Sequence, residues 1–158
     1  MTTPEPSTAD IVSDLMNHCT VGSLATQMAD SDASPRPYVS LVTVARVGET
    51  SMAMLLSGLA KHTQNLTKCP AVSLLLCEET SPDSDPMAAQ RVTLMGQIAR
   101  LPHEDDMNVR DAFLQKHPNS RMVAGFGDFF FHVLHIEECH VIAGFGRIET
   151  LSSSCLRV

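Results

Sequence analysis

The sequence has no tryptophan, one tyrosine and six phenylalanines, so aliphatic side chains and nine methionines must fill most of any core. Long apolar runs are also missing. The longest, around residues 73–77 and 129–134, fall far short of the roughly 18 apolar residues that a membrane-spanning helix needs. Positive charge is scarce: 11 Lys and Arg stand against 18 Asp and Glu, a formal net charge of −7. Nucleic acid is therefore not an expected partner, because neutralising phosphates takes a clustered basic face. No C-x-x-C pair occurs among Cys19, Cys69, Cys77, Cys139 and Cys155, and their number is odd. That excludes an obvious disulfide frame or zinc ribbon and favours reduced, mostly buried thiols. The opening MTTPEPSTAD shows neither the basic nor the apolar region of a secretory signal, so a cytoplasmic location is expected.

What is present suits one domain. The chain has 158 residues with 44% hydrophobic content, which is enough for a single core and excludes wholesale disorder. Residues 1–7 read as a polar arm, 8–147 as the folded unit and 148–158 as a tail. Ile11, Val12, Leu15 and Met16 repeat at helical spacing within a helix over 8–18, capped by Ser7 or Thr8. Strand patterns follow at 21–26, 38–47, 51–56, 71–79, 90–101, 128–136 and 139–145, with a loop at 28–37 and helices at 59–68 and 103–117. Helices do not alternate with strands in βαβ fashion. The expectation is a mainly β (α+β) fold, an antiparallel split β-barrel of about six strands with short peripheral helices.

Chemistry concentrates in residues 51–70, SMAMLLSGLAKHTQNLTKCP. A strand reaches Ser57-Gly58 and a helix begins at once, with Lys61, His62, Thr63 and Asn65 in its first two turns. Free N–H groups at the helix start, the Lys61 charge and the hydroxyls of Ser57 and Thr63 describe a pocket for a phosphate monoester. An ordinary amphipathic helix with a solvated polar face reads equally well from these residues alone. Elsewhere the signals are weaker. His132 and His135 point to opposite faces of one strand, so no metal site is expected. His18, His103 and His117 lie at helix ends and suit capping. The near-copies VAGFGD (123–128) and IAGFGR (142–147) do not complete a dinucleotide loop; they read as glycines that permit close approach. No nucleophile elbow and no carboxylate pair stands out.

The order PYVSLVTVA, LLSGLAKHTQNL, CPAVSLLL and QRVTLMGQIARL resembles the pyridoxamine 5′-phosphate oxidase-like FMN-binding split-barrel superfamily. The run from Ser57 to Leu66, with RDAFLQKHP and GDFFFHVLHI followed by IAGFG, is most similar to its haem-utilisation, HugZ-type branch. The resemblance covers about residues 8–147. It implies a homodimer with FMN at the interface and a flavin-dependent oxidoreductase acting on a small-molecule substrate. It also implies a cofactor-binding set of Ser40, Ser57, Lys61, His62, Thr63, Asn65, Gln90 and Arg91. Ser40 and Ala45 stand where the oxidases carry arginine and lysine, so efficient pyridoxamine phosphate oxidation is not expected. The alternative on the same scaffold is a haem-binding or haem-degrading protein using His132 or His135, since the tail offers only Cys155 as a ligand. A deazaflavin in place of FMN, and an interaction module without cofactor, complete the alternatives.

Overall fold

The computed structural model describes residues 4–30 and 34–156. Parts of three expected segments lie outside the described residues: 1–3 of the arm, 31–33 of the loop and 157–158 of the tail. Helix α1 (Thr8–His18) is followed by strands β1 (Val21–Gln27), β2 (Pro37–Thr43), β3 (Ala45–Gly48) and β4 (Ser51–Ser57). Then come α2 (Lys61–Lys68), β5 (Ala71–Cys77), β6 (Arg91–Arg100), α3 (Met107–Lys116), β7 (Phe129–Ile142) and β8 (Ile148–Ser152). The strands pair antiparallel in the order β2-β1-β5-β6-β7-β4-β3, with β8 added to β7. The expected split barrel is thus present as a curled half-barrel.

Several expectations change in detail. The segment 38–47 is not one strand. It divides at Val44, because β2 pairs with β1 at one edge of the sheet and β3 with β4 at the other. Val44 is fully buried and donates its N–H to Thr20 O at 3.0 Å, so one residue of chain joins the two edges. The segments 128–136 and 139–145 are not a hairpin. They are the single 14-residue β7, whose early part pairs with β4 and whose late part pairs with β8. The register against β6 slips between Met95 and Gly96, and this bulge absorbs Glu137 in place of a turn. Glycine is required there: a Cβ on Gly96 would lie 2.0 Å from His135 O. Finally, 148–152 extends the sheet as β8 and brings the strand count to eight rather than about six. The last helix also starts later than expected, at Met107, behind a 3-10 turn at His103–Asp105.

Side chains from two directions fill the space around the sheet. Ser7 caps α1 through a capping box with Asp10, leaving Ile11, Val12, Leu15 and Met16 to pack on Leu24, Leu74, Leu76, Leu94, Leu134 and Val141. On the opposite face Phe113 and Leu114 of α3 cover Ala45, Ala53 and Phe131. Each such apolar side chain contributes about 1.5–3 kcal/mol on burial, so α1 and α3 supply packing on the two faces of the sheet. The thiols are less uniform than expected. Cys139 is buried, Cys19 and Cys69 are half-buried, and Cys77 and Cys155 are exposed; all five are free. Cys77 is outward by strand alternation and Cys155 stands in a 3-10 turn.

Candidate functional site

The sharp exit from β4 into α2 is held by Ser57. Its hydroxyl donates to the Asp128 carboxylate at 3.1 Å and accepts the Leu59 N–H at 3.2 Å, while Gly58 N–H donates to Asp128 O at 2.6 Å. Asp128 ends the first AGFG copy, so that segment fixes the turn. Asn65, fully buried, anchors the helix from beneath: its amide donates to Thr26 Oγ1 at 3.0 Å and accepts the Ala29 N–H at 3.0 Å. Ser57 and Asn65 therefore position α2 through bonds within the chain.

The start of α2 is open. Its N-cap, Ala60, offers no side-chain acceptor to the first N–H groups. Two buried side-chain atoms beside them, His62 Nε2 and Thr63 Oγ1, have no hydrogen-bond partner. His62 Nδ1 shares a 3.1 Å hydrogen bond with the Ser40 hydroxyl. When Ser40 donates, the ring proton resides on Nε2 and is available to an anion. Lys61 Nζ lies 3.6 Å from the Asp30 carboxylate in a solvent-exposed pair, an interaction weak enough to be exchanged. The start of α2 thus carries donors from Lys61, His62, Thr63 and its backbone, and among the described residues nothing bonds His62 Nε2 or Thr63 Oγ1.

Behind this cradle the β6–β7 register gathers residues that strand-by-strand reading left apart. Arg100 is paired with His132, its guanidinium lies 4.3 Å over the Phe130 ring, and His103 stacks on the same ring at 4.3 Å. The His132 imidazole is buried and bonds Phe130 O through Nδ1 at 3.0 Å. Burial holds it below the ordinary histidine range despite the opposing pull of the Phe130 carbonyl bond, and Arg100 and His62 push it the same way as burial. Burial also lowers His62. Both rings are therefore neutral near pH 7. The missed signal is the pairing of β6 with β7, which sets Arg100 opposite His132; His103 is a ring partner rather than a helix cap.

Gln90 and Arg91 are not brought to this place. Arg91 begins β6 nine residues from Arg100, a strand distance of about 30 Å, with Gln90 just before it. Arg91 donates to the carbonyls of Met87 and Ala89, both at 3.1 Å, and Gln90 N–H donates to the Glu78 carboxylate at 3.0 Å. Of the β7 histidines, His135 is exposed and His132 buried, as their opposite facing requires.

The barrel family model described as "CREG, beta-barrel" matches residues 4–155. The chain belongs to this family. Among characterised proteins it is 32% identical over 108 residues to the non-canonical heme oxygenase HOZ, chloroplastic, of Arabidopsis thaliana, covering 68% of this chain and 32% of that protein. The structure of a heme binding protein from Mycobacterium smegmatis superposes with a TM-score of 0.85 at 27% identity, covering 98% of this chain and 61% of that one. A Clostridium acetobutylicum protein of the pyridoxinephosphate oxidase family shares the fold alone, with a TM-score of 0.69 at 10% identity over 94% of this chain and 96% of that one. The CREG-family chain thus spans about a third of the Arabidopsis relative and three fifths of the mycobacterial one. It falls in the superfamily that its motifs resemble. No helix among the described residues is long and apolar enough to cross a membrane.

Proposed function

We propose that this CREG-family chain binds haem, with the cradle at the start of α2 receiving the haem carboxylates. The observation that carries the reading is the pair of buried, partnerless donors, His62 Nε2 and Thr63 Oγ1, beside an uncapped helix start and Lys61. A buried donor left open costs about 1–3 kcal/mol, and an anion on the cradle removes that cost. The haem-related names of the Arabidopsis and mycobacterial relatives favour haem over the FMN that the motif resemblance put first. Within the chain Lys61, His62, Thr63 and Ser40 hold the carboxylates, and β7 offers an imidazole from His132 or His135. Bound haem would supply an iron centre for oxygen chemistry; the chain's own residues bind, orient and shield it.

The same reading includes a homodimer. Val39 (61% exposed) and Leu41 (73% exposed) of β2 lie on the outer face with Ser23 and Ala25 of β1 and Leu75 of β5. These positions carry no charge, and an uncharged apolar face of this kind marks an association surface. In this reading a twofold partner on this face would bring the Gln90–Arg91 end of one chain toward the cradle of the other.

FMN remains as a second reading because hydroxyl and N–H donors around Lys61 suit a phosphate as well as a carboxylate. One titration separates them. Haem should bind with a Soret band, and Lys61→Ala should weaken it about ten- to a hundredfold while leaving haem dimethyl ester unaffected. Tight FMN with no haem binding would reverse the ranking, and equal losses for haem and its ester would remove the carboxylates from the cradle.

A further inference from the structure

Far from the cradle, a cavity of about 450 Å³ opens between the end of α1, the start of β1 and the end of β5. His18, Cys19, Cys77, Glu79 and Gln90 are among its lining residues. The Cys19 thiol points at β5 and lies 3.4 Å from Cys77 O. Continuing the β1–β5 register past its last pair, Ser23 with Leu75, sets Val21 opposite Cys77 and Cys19 on the diagonal. Diagonal neighbours lie about 7–8 Å apart between Cα atoms, against a disulfide limit of about 6.8 Å. The small remaining movement falls on Cys19, which is the C-cap of α1 rather than part of the sheet.

We propose that Cys19 and Cys77 form a thiol–disulfide exchange site at the mouth of this cavity, oxidised by small disulfides of the glutathione class. Cys77 is exposed and Cys19 half-buried, so their roles differ. The Cys77 thiolate attacks one sulfur of the oxidant, forming a mixed disulfide and releasing one glutathione thiolate. Cys19 then attacks the Cys77 sulfur, the mixed S–S bond breaks, and the second glutathione leaves. Two thiols lose two electrons to the oxidant's disulfide, and their two protons end on the two glutathiones.

The surroundings support this order of events. Burial raises the Cys19 thiol above its ordinary range, which keeps it protonated against an external oxidant, while the Lys116 ammonium pulls the other way. That ammonium is held nearby, donating to the carbonyls of Cys19 at 2.6 Å and Asn17 at 2.9 Å. The other neighbouring pair provides a control. Cys139 is 0% exposed, and its thiol is pushed up to about 12 by burial, beside Cys155 in a separate turn. That pair should stay reduced. The Cys19–Cys77 bond would fasten α1 to β5 across the cavity mouth.

The test treats the reduced full chain with oxidised glutathione under native conditions, followed by non-reducing peptide mapping. The expected result is the loss of two thiols and two hydrogens, with Cys19 and Cys77 peptides joined. Cys19→Ala should stop the reaction at a stable glutathione adduct on Cys77, and Cys77→Ser should leave Cys19 unmodified. A wild-type chain that stops at the Cys77 adduct, joins Cys139 to Cys155, or links two chains through Cys77 overturns the proposal.

Discussion

The two ends of β5 and β6 are built from similar parts and treated differently by the fold. At the end beside α2, His62 Nε2 and Thr63 Oγ1 are buried without partners, and Ala60 leaves the helix start uncapped. At the other end the charged donors Arg91 and Lys116 are engaged within the chain. Arg91 serves the carbonyls of Met87 and Ala89, Lys116 those of Asn17 and Cys19, and Glu78 takes the Gln90 N–H. The near-copies of AGFG follow the same division. The first fixes the Ser57 turn through Asp128, while the second presents Phe145, 84% exposed, at a hairpin tip between Gly144 and Gly146, both with positive φ. The Arg91 end also carries Glu78, Glu79 and Asp85, whose charge opposes an anion. Satisfaction of donors favours the α2 end, because only open donors gain from an added anion.

Joining the two ends by a twofold partner is the claim most exposed to breakage. Leu41→Glu places a carboxylate at the centre of the uncharged outer face, once from each copy. The dimer constant should weaken at least about a hundredfold, roughly 2.7 kcal/mol, and sedimentation should show monomer at micromolar concentration. Unchanged dimer mass would move the interface elsewhere.

Next in size is the anchor beneath the cradle. Asn65→Ala leaves the Ala29 N–H without its acceptor and removes the donor to Thr26 Oγ1, and should cost about 1–3 kcal/mol of stability, measured by denaturant unfolding. Gln90→Ala at the other end should stay within about 0.5 kcal/mol, since the Gln90 contact that the fold uses is its backbone N–H. Comparable losses would erase the distinction between the ends.

Periodicity made α1, β1, β4, β5 and β6 legible, because their burial alternates or repeats within one segment. What escaped depends on another segment. Nothing local says that 129–142 is one strand; that follows from Gly96, across the sheet, admitting His135 O. Val44 looks like a strand interior until β2 and β3 are seen at opposite edges. The Ser57–Asn65 motif suggests a candidate anion site, but local sequence does not show which donors stay open, nor the Arg100–Phe130–His103 stack, which needs the β6–β7 register. Thiol exposure at Cys77 and Cys155 likewise follows from facing and turn position, not from composition.

A smaller effect concerns pH. His62 and His132 are held below the ordinary histidine range chiefly by burial, whereas the unfolded chain titrates near 6.5. Between the folded values and 6.5 the unfolded state binds more protons, so stability present above 6.5 is lost as pH falls through that window. Anion binding runs the other way: a carboxylate beside His62 favours its protonated form, so affinity should rise as stability declines. Denaturation midpoints and haem titrations at pH 7.5 and 5.5 test both signs. His132→Asn should flatten the stability change, and His62→Asn both changes.

The smallest expected effect discriminates best between one chain and two. Arg91→Ala removes hydrogen bonds to the carbonyls of Met87 and Ala89, a loss of about 0.5–1.5 kcal/mol in stability. In the dimer it should also weaken haem by less than about tenfold, below the loss for Lys61→Ala, because its guanidinium is already engaged by its own loop. In the Leu41→Glu background that second effect should vanish, since about 30 Å of strand separates Arg91 from the cradle of its own chain. The Lys61→Ala loss should persist there, because Lys61 and the helix start belong to one chain. A double-mutant cycle reads the difference directly. If Arg91→Ala weakens haem equally in monomer and dimer, the two ends are not joined by a partner, and the site lies within a single chain.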